Sequence, residues 1–224
     1  MAQFIFNGPK NLITKAQRFF RRSAIHVHML KRQKKRCNTV DRIFYDAIKE
    51  DPPMKGYIQV YTGNGKGKTT ASIGLSVRAA GAGLKVYIAQ FMKMGDYSEL
   101  NSLKRFSDLI KIQQFGLGQF IKTAPSPEEI AAAQEGLECA KAALLSNDYD
   151  VVIMEEANVA VTCGLFPVKT LLDIMDMKPD HVELIITGRG AAPETIEKAD
   201  LVTEMKEIKH YFSKGVMART GIEM

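Results

Sequence analysis

A glycine-rich loop with two lysines and a threonine, Gly63-Asn64-Gly65-Lys66-Gly67-Lys68-Thr69, could bind the phosphates of a nucleoside triphosphate. Its alternating glycines let backbone N–H groups converge on an anion without clashes from Cβ atoms. Lys68 could reach the terminal phosphates as a point charge, the Thr69 hydroxyl could ligate Mg²⁺, and Thr70 extends the predicted nucleotide contact. The usual pattern has a glycine six positions before the lysine, where Thr62 stands, so this loop is a shortened variant.

Two acidic residues further along the chain could complete a metal site. The apolar run Asp150–Met154 is followed directly by Glu155 and Glu156. A strand of continuous apolar character is buried in a parallel sheet, and its carboxyl end faces the ligand side. Either acid could therefore hold Mg²⁺ directly or through water. The alternative is a pair of solvated loop acids, which the buried character of the strand disfavours.

The segments that would position these residues alternate between apolar strands and helices. Ser126, Pro127 and Glu129 form a typical helix start, with an N-cap serine, a proline in the first turn and a capping-box glutamate. The alternation predicts an α/β fold with a mostly parallel sheet and helices on both faces, which binds ligands at the carboxyl ends of the strands. The predicted strands are Tyr57–Thr62, Lys85–Phe91, Ile110–Phe115, Asp150–Met154, Val182–Thr187 and Leu201–Glu204; the predicted helices are Thr69–Ala82, one beginning at Pro127, one from Pro167 to about Met177, and Pro193–Ala199.

Length and charge indicate one main domain with an extension. The chain has 224 residues and a formal net charge of +6. Residues 1–54 carry 12 Lys and Arg against 4 Asp and Glu, whereas the remainder carries 19 against 21. We therefore predict a basic, partly helical extension over residues 1–53 and a P-loop domain over residues 54–224. The mildly acidic balance of that domain argues against a nucleic-acid partner for it.

Composition also indicates where the protein functions. No run of 18 apolar residues is present, so we expect no membrane span. The three cysteines, Cys37, Cys139 and Cys163, are far apart and odd in number, which favours neither a disulfide framework nor a zinc site. A reducing cytoplasm fits these features best.

The basic extension has several interpretations. It could dock on an anion or a nucleic acid, or it could be a solvated, partly helical arm, which the pattern favours. A natural start at Met54 is a further alternative, because the regular alternation of strands and helices begins there.

Five segments together resemble the ATP:corrinoid adenosyltransferases of the P-loop type. The phosphate loop alone is widespread, but the set in this order and spacing is specific, and the resemblance runs from about Met54 to Met224. The five segments are Thr62–Thr70, Ala89–Lys93, Glu155–Asn158, Ile186–Gly190, and Lys209-His210 with Gly215-Val216.

The resemblance implies a RecA-like fold, a homodimer, and transfer of the 5′-deoxyadenosyl group of ATP to the cobalt of a reduced corrinoid with release of triphosphate. It implies Mg²⁺, or Mn²⁺ in its place, and a flavodoxin-like electron donor as a partner. Lys68, Glu156 and Arg189 are the implied catalytic residues. Because Glu156 aligns with the family's glutamate and Glu155 replaces its aspartate, Glu156 is the expected main metal ligand. Lys209 and His210 could contact ligand or stabilise the C-terminal turn, and we favour the structural role.

The resemblance also implies a corrinoid-binding segment, which departs from the family pattern here. The family presents a glycine followed by aromatic residues, including a tryptophan, against the lower face of the corrinoid. This chain has Gly118, Gln119, Phe120 and Ile121 and contains no tryptophan. Gln119 and Ile121 replace two of the aromatic residues that help displace the lower cobalt ligand before reduction.

Two other functions fit part of the pattern. One is a P-loop ATPase or kinase acting at the γ-phosphate. The other is a nucleotide-dependent module that uses its basic arm on nucleic acid, whose binding would depend steeply on salt. The first differs from an adenosyltransferase in its products, which would be ADP with phosphate or a phosphorylated acceptor.

Overall fold

The computed structural model describes residues 55–118, 121 and 124–223. These residues belong to one compact unit, Pro53–Met224. The predicted extension over residues 1–53, together with Gln119 and Phe120, lies outside the described residues.

A six-stranded parallel sheet forms the centre of this unit, in the order β3-β2-β4-β5-β1-β6. The predicted α/β fold is therefore confirmed, and every pairing between the described strands is parallel. The predicted strands agree with the observed ones to within one residue at each end. The strands are β1 (Ile58–Thr62), β2 (Val86–Phe91), β3 (Ile110–Phe115), β4 (Val151–Glu155), β5 (Glu183–Thr187) and β6 (Leu201–Glu204).

Among the described residues, six α-helices connect these strands. The longest begins with the predicted capping box, in which Ser126 Oγ accepts from the Glu129 N–H at 3.2 Å and the Glu129 carboxylate accepts from the Ser126 N–H at 2.7 Å. The helices are α1 (Lys68–Gly81), α2 (Ser98–Leu103), α3 (Pro127–Leu145), α4 (Ala157–Thr162), α5 (Val168–Asp176) and α6 (Pro193–Lys198). Short 3-10 helices cover Lys104–Phe106 and Tyr211–Lys214. Within the described residues, no helix is long and apolar enough to cross a membrane.

Apolar side chains pack on both faces of the sheet, because successive residues of each strand point to opposite sides. On one face, strand residues such as Val60 and Met154 pack with Leu137 of α3 and Leu171 of α5. On the other face, the cluster is made by Ile88, Ile153 and Ile185 with Ala79 and Ala80 of α1 and Leu103 of α2. Because both faces of the sheet are covered, a ligand can reach the strands only at their ends.

The carboxyl ends of four strands carry the polar residues singled out from the sequence. The phosphate loop follows β1, Lys93 follows β2, Glu155 ends β4, and Arg189 follows β5. Because the strands are parallel, all of these residues lie at the same edge of the sheet. The fold thus assembles one site from segments that are up to 126 positions apart in the chain.

Candidate active site

The phosphate loop adopts a conformation that requires glycine. Gly63 and Gly67 have φ angles of 91° and 122°, a region that residues with side chains rarely occupy. Gly65 is needed for a different reason, since a Cβ atom there would lie 2.7 Å from the carbonyl oxygens of Met205 and Lys206. The Gly65 N–H donates to the Met205 carbonyl at 2.6 Å. The loop is therefore shaped by its own glycines and by the segment that follows β6.

Lys68, the first residue of α1, lies beneath this loop and is only 6% exposed. Its ammonium donates to the carbonyl oxygens of Gly63 at 2.7 Å and Gly65 at 2.8 Å. Burial lowers the pKa of Lys68, the positive charge of Arg189 lowers it further, and the Glu156 carboxylate opposes both effects. The lysine charge is thus held inside the loop that would surround a phosphate.

Glu155 is fully buried at the end of β4 and joins that strand to the phosphate loop. The Thr69 hydroxyl donates a hydrogen bond to Glu155 Oε1. Lys93 donates to the same oxygen at 3.0 Å, and Gln90 Nε2 donates to Oε2 at 2.8 Å. A buried carboxylate is stable only when it is paired and hydrogen-bonded, and here both oxygens have partners.

Glu156 follows in a strained conformation, with φ of 61°, immediately before α4. Its N–H donates to the Thr187 hydroxyl at 3.1 Å, which ties the β4–α4 turn to the end of β5. Burial raises the pKa of Glu156 and the charge of Glu155 raises it further, while Lys93 and Lys68 act in the opposite direction. Glu156 therefore lies within the same electrostatic cluster, but it is Glu155 that contacts Thr69.

Gln90 and Lys93 are site residues to which the sequence interpretation assigned no role. Both belong to the Ala89–Lys93 segment at the carboxyl end of β2, so a signal was present in the sequence. A chain of amides supports them: Gln114 donates to Gln90 at 3.2 Å and accepts from the Gly95 N–H at 3.1 Å. Three neighbouring strands, β3, β2 and β4, are thereby connected through polar side chains to the Glu155 carboxylate.

Part of this cluster lines a cleft of ≈ 470 Å³, whereas the fully buried Gln90 and Glu155 do not. Of the predicted ATP-binding residues, Gly65 to Thr70 lie in its wall, while Gly63 contributes its carbonyl to Lys68 and Asn64 is exposed. Arg189 is exposed at the rim, on the loop after β5. Further lining residues are Ile73, Lys93, Ser98, Glu99, Ser102, Glu156, His210, Gly221, Ile222 and Glu223.

The cleft is suited to a polyphosphate. Four cationic side chains, those of Lys66, Lys68, Lys93 and Arg189, converge on it. The N-terminus of α1 adds its positive dipole end, as in other phosphate-binding loops. A larger open groove of ≈ 700 Å³, lined by residues from the amino ends of β2 and β3 as far as Gln114, contains none of these four cations, and we assign it no chemistry.

The predicted corrinoid-binding residues lie on a neighbouring loop. Gly118 has a φ of 71°, and a Cβ atom there would approach the Met94 carbonyl to 3.2 Å. Ile121 is partly buried against the first core cluster. Neither residue lines the ≈ 470 Å³ cleft. The described start of the loop after β3, at Gly116 and Gly118, therefore packs on the loop after β2, and neither glycine lines the cleft.

His210 has a structural contact and also lines the cleft. Its Nδ1 accepts from the Phe212 N–H at 3.1 Å and its carbonyl accepts from the Ser213 hydroxyl at 2.7 Å, so it begins the 3-10 helix Tyr211–Lys214. Its ring also forms part of the cleft wall. The C-terminal segment that carries it is thus part of the site.

Comparison with known proteins identifies the family of this chain. The family described as ATP:corrinoid adenosyltransferase BtuR/CobO/CobP matches residues 54–224. A corrinoid adenosyltransferase of Pseudomonas aeruginosa is 32% identical over 193 residues, which cover 86% of this chain and 95% of that protein. One of Escherichia coli is 36% identical over 171 residues, covering 75% and 86%, and one of Salmonella typhimurium is 34% identical over 194 residues, covering 86% and 95%. The chain belongs to the ATP:corrinoid adenosyltransferase family.

Proposed function

We propose that this chain binds ATP in the ≈ 470 Å³ cleft and transfers its 5′-deoxyadenosyl group to the cobalt of a reduced corrinoid, with release of triphosphate. The observation that carries the proposal is the convergence of Lys66, Lys68, Lys93 and Arg189 around a glycine loop, in a chain of this family. Triphosphate is a highly charged leaving group, and fixed cations stabilise the charge that develops on it.

The reaction needs little from the protein besides positioning and charge. The electron pair of Co(I) attacks C5′, the Co–C bond forms, and the C5′–O5′ bond breaks with its electrons going to the triphosphate oxygen. Co(I) is already a strong nucleophile, so no side chain has to act as nucleophile or base. Lys68, held under the loop by two carbonyls, would neutralise the departing oxygens, and Lys66 and Arg189 would add charge at the rim.

We propose that Thr69 and Glu155 hold the divalent ion, with Glu156 contributing through the same cluster. Mg²⁺ is usually bound by one or two protein oxygens together with substrate phosphates. The Thr69 hydroxyl and the Glu155 carboxylate are in contact with each other, so this oxygen pair fits such an ion. When bound, Mg²⁺, or Mn²⁺ in its place, would add positive charge near the phosphates.

The corrinoid side of the proposal rests on the loop after β3. Gly118 lies next to the Met94 backbone and Ile121 packs against the first core cluster, and we propose that both contact the corrinoid together with Gln119 and Phe120. A homodimer, a flavodoxin-like electron donor and a cytoplasmic location remain part of the proposal on the strength of the family.

One anaerobic incubation tests the proposed function. The full chain is mixed with MgATP and chemically reduced cobalamin, and the products are analysed by absorption spectroscopy and anion-exchange chromatography. We expect the spectrum of an alkylcobalt species and one equivalent of triphosphate. ADP with phosphate, and an unchanged cobalt spectrum, would instead identify an ATPase or kinase acting at the γ-phosphate.

We expect a chain that begins at Met54 to fold and to bind ATP. The described residues from position 55 onward form the six-stranded sheet and both of the apolar clusters that cover it. Circular dichroism, thermal unfolding and an ATP titration, each compared with the full chain, test this expectation. Loss of folding would contradict it. If folding and ATP binding persist, weaker corrinoid binding would identify residues 1–53 as a cover for the corrinoid, and unchanged binding would make the extension dispensable.

A further inference from the structure

The segment after β6 packs against the outer side of the phosphate loop at two points. At the first, the Gly65 N–H donates to the Met205 carbonyl at 2.6 Å. At the second, the Lys66 ammonium donates to the Ile222 carbonyl at 3.0 Å. The loop is therefore held between residues that are 17 positions apart in this segment, and the second contact involves a cation that faces the cleft.

Three side chains hold the second contact in place. Glu223 Oε2 accepts from the Arg219 N–H at 3.0 Å and from Arg219 Nε at 3.2 Å, and its Oε1 accepts from Arg219 Nη2 at 3.2 Å and from the Tyr211 hydroxyl. The Arg219 guanidinium also lies over the Tyr211 ring, 5.1 Å from its centre. We call Tyr211, Arg219 and Glu223 the C-terminal clamp.

The clamp uses both oxygens of its carboxylate. It closes the turn over residues 219–223, in which the Ile222 and Glu223 N–H groups donate to the Arg219 carbonyl at 3.2 Å and 2.9 Å. Hydrogen bonds from Arg219 and Tyr211 lower the pKa of Glu223 to about 2. A carboxylate with a lowered pKa stabilises the folded state until the pH falls through that pKa. Glu223 is therefore ionised, and its hydrogen bonds to Arg219 and Tyr211 are retained, at neutral pH.

We propose that the C-terminal clamp positions Lys66 for the triphosphate of ATP, through the Ile222 carbonyl that accepts from its ammonium. An ammonium has three N–H donors, so one can bond to the carbonyl while others reach phosphate oxygens. Anchoring a long, flexible side chain before the ligand arrives reduces the ordering cost on binding. Tyr211, Arg219 and Glu223 are positioning residues in this proposal, because they act on ATP through Lys66. The proposal rests on the proposed function in one respect, namely that ATP is the ligand.

The alternative is that the clamp only stabilises the fold of the C-terminal segment. In that case its loss would change the affinity for ATP by the same factor whether or not Lys66 is present. A double-mutant cycle separates the two roles, because changes that act through one contact are not additive. The affinity for MgATP is measured by isothermal titration calorimetry with the full chain and with the variants Lys66→Ala, Glu223→Gln and both together. Direct binding is the readout, so the result does not depend on corrinoid or on turnover.

We expect Glu223→Gln to raise the Kd for MgATP about three- to tenfold, the range expected from loss of one anchoring hydrogen bond. Lys66→Ala should raise it at least as much, and the double variant should stay within about twofold of Lys66→Ala alone. Tyr211→Phe, which removes only the hydroxyl of the clamp, should weaken binding in the same direction. It also serves as the deciding variant if circular dichroism shows that Glu223→Gln does not fold.

Asp173→Asn provides the matched control. It breaks the exposed Lys169–Asp173 pair of α5, which has the same four-residue spacing as the Arg219–Glu223 pair. The substitution also changes the net charge by the same amount as Glu223→Gln. We expect its MgATP affinity to equal that of the wild type. Additive effects of Glu223→Gln and Lys66→Ala would overturn the positioning role, and so would wild-type affinity in both Glu223→Gln and Tyr211→Phe. Either result would leave the proposed function intact. Failure of the wild-type chain to bind MgATP would overturn the proposed function and the clamp's role with it.

Discussion

Replacement of Lys68 by alanine is expected to lower turnover at saturating ATP by at least 10²- to 10³-fold, which is about the cost of removing a single preorganised group that stabilises transition-state charge. Lys68 is the buried cation of the cleft, and its ammonium is fixed by the Gly63 and Gly65 carbonyls inside the phosphate loop. A methyl group cannot supply that charge. Initial rates of alkylcobalt formation under anaerobic conditions, measured over a range of ATP concentrations, give the comparison.

Lys85→Ala controls for the loss of one positive charge. Lys85 is exposed at the amino end of β2, on the opposite edge of the sheet, and lines only the ≈ 700 Å³ groove. We expect its rate to equal that of the wild type and the thermal unfolding of both variants to remain cooperative. Near-normal turnover of a folded Lys68→Ala variant would mean that the phosphates bind elsewhere.

The second large effect is expected at the acidic pair, where Glu155→Gln should weaken metal-dependent catalysis more than Glu156→Gln. The sequence comparison favoured Glu156, because it aligns with the family's glutamate. The structure gives a reason for the opposite order, since it is Glu155 that accepts from the Thr69 hydroxyl and pairs with Lys93. We expect the Mg²⁺ concentration at half-maximal rate to rise about 10- to 100-fold for Glu155→Gln, the range for lost support of a bound metal.

Mg²⁺ titrations of the two variants, run at one ATP concentration, decide between the carboxylates. The variants are matched to each other, since each replaces a buried or largely buried carboxylate by an amide of the same shape. Thermal unfolding of each must be checked, because Glu155→Gln leaves the Lys93 ammonium without its carboxylate partner. Equal or reversed effects on the titration would return the main role to Glu156.

Strands β2, β4 and β5 were predictable from the sequence because each is a short, largely apolar run, and β1 because apolar and polar residues alternate in it. The capping box at Ser126 fixed the start of α3 in the same way, through a local side-chain pattern. Helices α2 and α4 were not predicted, since each has six residues and less than two turns, too few for a helical period to show. Patterns of neighbouring residues thus predicted those strands and helices whose formation depends on neighbouring residues.

The order of the strands and the pairings across them have no local cause. Glu155 meets Gln90 and Lys93 because β4 lies beside β2 in a register that places Gln90 opposite Glu155, although 65 positions separate the two residues. The contacts of Met205 and Ile222 with the phosphate loop likewise depend on how an irregular segment returns across the site. Family resemblance pointed to Lys209-His210 and Gly215-Val216 of this segment, but not to Met205 or Ile222, whose contacts only the fold shows.

The backbone at Glu156 has a consequence for how this enzyme would respond to selection for heat resistance. An L-residue held in the left-handed region destabilises the folded state by about 1–3 kcal/mol, and burial of this carboxylate beside Glu155 adds to that cost. Glycine would relieve both effects, yet it would remove an acid from the cleft. A laboratory screen for thermal endurance alone should therefore enrich glycine at position 156, whereas a screen that also demands product should discard it. Comparing the two outcomes would reveal whether the chain retains the strained Glu156 because its carboxylate is needed for catalysis.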